Sequence, residues 1–99
     1  MIVLYTNWSK KQLREIYNYY KEIGAPKKGR KVRLSVHKKA LQLKDFPFLG
    51  REEEMLSSLG QGHRYVVAGQ YKIIYRIIDE TIYITDIFDT RRNPQGMVP

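Results

Sequence analysis

The chain has 99 residues, with 18 Lys+Arg against 10 Asp+Glu, a net charge of +8 and 42% apolar residues. That length suits one domain around one core, 1–99, and the absence of cysteine excludes disulfides, Cys-ligated zinc and iron–sulfur clusters. Two histidines, His37 and His63, leave little for another metal site, and the opening apolar run Met1–Tyr5 is too short for a signal peptide or a membrane span. A basic, soluble, cytoplasmic domain with no metal and no cofactor is expected.

Met1–Thr6 is rich in β-formers and is predicted to be a strand. Ser9 is the expected N-cap of a first helix, because Leu13, Ile16, Tyr17, Tyr20 and Ile23 then recur at helical spacing. Gly24-Ala25-Pro26 ends it. A second helix is predicted from about Lys28 to Lys44, with Val32, Val36, Ala40 and Leu43 on one stripe and Gly29 weakening the first turn. Phe46–Arg51 breaks the pattern, and Glu52–Gly62 reads as an irregular connection with a helical turn. The Glu52-Glu53-Glu54 run is expected to be solvated, and Trp8 to be a core or staple residue.

From His63 the hydrophobic period changes from that of a helix to that of strands. Arg64–Ala68, Tyr71–Ile78 and Thr81–Phe88 are dense in Ile, Val, Tyr and Thr, with two short turns between them, and predict an antiparallel three-stranded meander. In the middle strand Tyr71, Ile73, Tyr75 and Ile77 share one face and Lys72, Ile74, Arg76 and Ile78 the other. The helices cover one face, and the second offers a concave binding surface. A basic tail, Asp89 to Pro94, is expected to leave the sheet. The predicted architecture is α+β, order β-α-α-β-β-β, with two helices packed on an antiparallel sheet.

Charge is uneven along the chain. Residues 1–60 carry 13 basic and 6 acidic side chains, and Lys27 to Lys39 holds seven cations and no acid. Such a block attracts polyanions or an acidic protein segment, so a non-toxic nucleic-acid-binding module is one open reading. A solvated helix face is the other.

The residues Arg64-Tyr65-Val66-Val67, Tyr71 to Asp79, Ile82 to Ile87 and Arg91-Arg92-Asn93-Pro94, preceded by Phe46-Pro47-Phe48-Leu49-Gly50-Arg51, resemble the RelE/ParE toxin superfamily over nearly the whole chain. The resemblance implies the toxin of a type II toxin–antitoxin module, an inhibitor of bacterial growth linked to plasmid stabilization. Its partner would be a cognate antitoxin encoded beside it. Two branches share the fold. RelE-like members are ribosome-dependent mRNA endonucleases, and ParE-like members poison DNA gyrase with no chemistry of their own.

Cleavage through a 2′-hydroxyl needs a base, cations for the phosphorane charge and an acid for the leaving oxygen. The resemblance places Lys72, Arg91 and, less closely, Arg64 at the ribonuclease branch's basic positions, with His63 the one near-neutral titrating group close by. The paired lysines of that branch are missing after Arg64, and the tail from Arg92 to Pro99 has no Tyr or His. The incomplete set favours the ParE-like branch, with Lys72, Arg76, Arg91 and Arg92 as target-binding candidates; whether the chain is an enzyme stays open. Core packing is the expected role of Tyr71 and Tyr75, and a strand-opening position that of His63.

Overall fold

The computed structural model describes Met1–Pro99. A first strand, β1 (Ile2–Tyr5), leads into two helices, α1 (Asn7–Glu22) and α2 (Pro26–Asp45), followed by a short strand β2 (Arg51–Glu52) and a 3₁₀ turn over Glu54–Leu59. The meander β3 (Arg64–Ala68), β4 (Tyr71–Ile78) and β5 (Thr81–Asp89) comes next, and a last 3₁₀ turn spans Pro94–Gly96. No helix is long and apolar enough to cross a membrane.

The α+β architecture and its order are as expected, with two additions. The sheet runs β1-β5-β4-β3-β2, so it has five strands and is mixed: β1 lies parallel to β5, while the other neighbours are antiparallel. A parallel pairing needs a long crossover, which the two helices supply.

Local chemistry shifts the helix ends. Thr6, not Ser9, caps α1: its Oγ1 accepts from the Ser9 backbone N–H at 3.2 Å, while Ser9, inside the first turn, returns its hydroxyl to the Thr6 carbonyl. Pro26 ends nothing by itself; it opens α2, where its missing N–H would be unsatisfied anyway. Gly29 is the point at which α2 crosses α1, since a Cβ there would sit 3.1 Å from Tyr17 and Tyr20 side-chain atoms.

The main core lies between the helices and the sheet, built from Leu13, Val36, Ala40 and Leu43 against Ile73, Tyr75, Ile82 and Ile84. Pairing jumps from Ile74 opposite Asp86 to Tyr75 opposite Ile84, so Thr85 is an extra residue on β5. The bulge puts Ile82, Ile84 and Ile87 all on the helix side and turns Asp86 and Phe88 to the other face. That second face, the expected concave surface, is partly filled. Leu56 from the 3₁₀ turn and Met97 from the tail cover Ile74 and Phe88, with Tyr65 at the margin. The tail does not leave the sheet either: Asn93 caps its turn, and the Val98 N–H donates to Asp86 at 3.0 Å.

Candidate functional site

The basic side chains singled out above fall into three places. Lys72 projects from the second face of the sheet, where its ammonium lies 2.8 Å from Glu53 Oε2 and 4.2 Å from the centroid of the Tyr65 ring. Glu53 is buried, which corrects the expectation of a solvated glutamate run; its other oxygen accepts from the Met55 N–H. With Arg51, Glu52, Glu54 and Met55 these residues line a polar hollow of about 510 Å³.

Arg64 lies directly opposite Tyr75 on the neighbouring strand, hence on the helix-packed face, away from Lys72. Its guanidinium donates to the Gly50 carbonyl at 2.8 Å and stacks over Phe48. Tyr75 works on the same loop, donating to the Pro47 carbonyl and accepting from the Gly50 N–H. Both residues therefore tie residues 46–50 to the sheet. Removing only the Tyr75 hydroxyl leaves two backbone groups short of a partner, so Tyr75→Phe should lower stability by about 1–3 kcal/mol, measured by urea unfolding.

Arg91 follows β5 and grips Asp89 with Nε and Nη2 at 3.1 and 2.8 Å, while its own N–H caps the same carboxylate. This bond holds the Asp89 carboxyl below the usual range. Arg92 lies over the Phe88 ring. Both arginines edge a cleft of about 320 Å³ between α1 and the end of β5, with Ile16, Tyr19 and Ile87 supplying apolar wall.

His63 and Arg76 lie together on the second face. His63 is buried with neither ring nitrogen bonded to protein, and Arg76 is half-buried with an unpartnered Nε. Burial, then the charge of Arg76, depresses the imidazole pKa. The unfolded chain then takes up a proton that the folded chain refuses, so stability is full above the unfolded value and falls as pH drops through it. As pH falls below the unfolded imidazole's value of about 6.5 the parent should therefore lose stability, and His63→Phe should flatten that slope in thermal melts. His37, whose pKa is also lowered, contributes a residual slope in both proteins.

One polar hub escaped the sequence reading. Asp86, pushed up by burial, accepts from the Trp8 indole at 3.1 Å and from the Val98 N–H, joining α1 and the tail across the sheet. A lone acid inside an apolar strand was its only signal. Trp8 itself is 41% exposed rather than a core residue.

Of the four ribonuclease candidates, then, Lys72 and Arg64 stand on opposite faces, Arg91 is engaged by Asp89, and His63 is buried. The Lys27–Lys39 cations lie along α2, with Lys28 and Arg33 over the Tyr20 and Tyr17 rings of α1, and none of them takes part in an ion pair. The molecule is a two-helix, five-stranded α+β domain of the kind expected for the superfamily, with a basic exterior.

The family described as ParE toxin of type II toxin–antitoxin system, parDE, matches residues 3–94, and the chain belongs to that family. Among solved structures it is similar to one titled "Chromosomal ParDE TA system from P. aeruginosa", with a TM-score of 0.76 and 20% identity over 90% of this chain and 95% of that one. At that identity the likeness concerns the fold. No curated protein matches the sequence.

Proposed function

We propose that this toxin inhibits bacterial growth in the ParE-like manner, by binding DNA gyrase, and that a cognate antitoxin neutralises it. The observation that carries the reading is the dispersal of Arg64, Lys72, Arg91 and His63. General acid–base cleavage needs its groups within hydrogen-bond reach of one reacting centre; Arg64 lies on the helix-packed face, Lys72 and His63 on the other and Arg91 beyond the end of β5, and all four are held by protein contacts or burial. Arg91 and Arg92, at the edge of the α1–β5 cleft, are the target contacts, with Lys72 and Arg76 on the adjoining sheet face as further candidates. Arginine suits such a role because its planar fork pairs with carboxylate or phosphate in two bonds at once.

The test is to induce the chain alone in a bacterial host and pulse-label DNA and protein synthesis separately. An early fall in DNA synthesis is expected. An early fall in protein synthesis would replace this reading with a RelE-like ribosome-dependent mRNA endonuclease. Arg91→Ala should weaken growth arrest while the thermal melt barely moves, because the side chain is 66% exposed and an exposed pair adds little to stability. Growth arrest equal to the parent's would remove Arg91 from the site.

A further inference from the structure

α1 separates its charges by side. Lys10 and Arg14, four residues apart, line one wall of a hollow of about 310 Å³ between the two helices. Glu15 lines the α1–β5 cleft instead, and Glu22, seven residues on, shares its side. The facing wall belongs to α2, whose Arg33 and His37 are also four residues apart. No acidic residue lines this hollow, and none of Lys10, Arg14 and Arg33 takes part in an ion pair. Three like charges held together without a counter-charge raise the local potential for an anion.

Aromatic rings hold these groups in place. Arg33 lies over the Tyr17 ring at 4.6 Å. Tyr5 meets the His37 ring edge-on, and its hydroxyl is 2.9 Å from Nδ1. With that hydroxyl donating, Nε2 carries the imidazole proton and remains a donor with no protein partner. Cations and a donor on both walls, with no acid between them, suit phosphate oxygens. An acidic protein segment could meet the same charges, but it would find no exposed apolar side chain. Leu13 is buried, Tyr5 and Tyr17 are half-buried, and only Lys10, Arg14, Arg33 and His37 are exposed. A single nucleic-acid strand would bring bases that need rings to stack on, and both rings here are already in contact. Duplex DNA presents phosphates alone along its outside. Lys21, seven residues after Arg14, and Arg30, seven before His37, are exposed and extend the two cationic rows.

We infer that the groove between α1 and α2 binds the phosphate backbone of duplex DNA, with Lys10 and Arg14 on one side and Arg33 and His37 on the other. The groove shares no residue with the Arg91–Arg92 cleft, so DNA binding here is independent of the proposed gyrase contact.

The probe is a fluorescein-labelled duplex of about 20 base pairs, titrated with the full chain between about 50 and about 200 mM salt. Affinity should fall steeply as salt rises. Arg14→Ala with Arg33→Ala should weaken binding by about tenfold or more at the lowest salt and flatten the log–log salt slope by about 2. Lys31→Ala with Lys39→Ala removes the same charge from the β3 side of α2, and should cost less than about threefold. The two histidines of the chain give a second readout. The ring signals of His37 should shift in NMR spectra as duplex is added, while those of His63, buried on the far side of the sheet, should stay in place. That readout uses the parent protein, so it decides the matter even where a variant folds poorly.

Absence of duplex binding, or a His37 signal that does not move, would overturn the inference. Equal losses in the two double variants would reduce the binding to net charge and remove the groove as its site. Tighter binding of a single strand of the same length, or of a polyglutamate peptide, would equally overturn the assignment to duplex DNA.

Discussion

Gly50→Ala is expected to destabilise the protein by about 3–5 kcal/mol. A Cβ at this position would lie 2.6 Å from the Tyr65 carbonyl oxygen and 2.7 Å from two atoms of the Tyr75 ring and hydroxyl. Neither neighbour can move aside at low cost. Tyr65 is held in the β3 ladder, and Tyr75 is fully buried with its hydroxyl shared between Pro47 and Gly50. Either the loop lifts off the sheet and those bonds break, or the strand shifts. Lifting the loop also takes the Gly50 carbonyl from Arg64. Urea unfolding checks the size of the loss, and a change under about 1 kcal/mol would show that the loop relaxes freely. Tyr75→Phe, which adds no atoms, should cost distinctly less than Gly50→Ala.

Lys72→Ala is expected to cost about 2–4 kcal/mol, because it leaves the buried Glu53 carboxylate without its counter-ion. The lower end allows for the partial exposure of Lys72, whose side chain is 23% accessible. Removing both partners together, Lys72→Met with Glu53→Leu, should recover most of that loss, since two apolar groups need no pairing. A double-mutant cycle by chemical denaturation measures the difference. Additive losses would mean that the pair does not act as a unit. Loss of growth arrest in Lys72→Ala therefore reports on folding as well as on target contact, whereas Arg91→Ala is free of that ambiguity.

Several site features were legible because they follow from one-dimensional pattern. The alternation of Tyr71, Ile73 and Tyr75 marked the helix-packed face, and all three are buried there. The strand limits of β3 and β4 follow from β-branched and aromatic density ended by turns. Glu53 was missed because three consecutive glutamates look alike in sequence, and only the chain path brings one of them beneath Lys72. Asp86 was missed for a related reason. Its two partners, Trp8 and Val98, lie near opposite ends of the chain. The bulge at Thr85 also hid which face Asp86 and Phe88 occupy, since one extra residue shifts every later side chain by one position.

Local composition was sufficient for what depends on neighbours in the chain: an α+β protein with a basic exterior, two amphipathic helices, a three-stranded meander and a resemblance to the toxin superfamily. Helical and strand periods, caps and turn residues act within a few positions, so a linear reading captures them. The tertiary structure alone decided that β1 pairs in parallel with β5, that the tail and the 3₁₀ turn cover the second face, and that Lys72, Arg64 and Arg91 stand apart. Those outcomes depend on contacts between residues tens of positions apart. Burial, charge pairing and register settle them together, and no local pattern encodes the result.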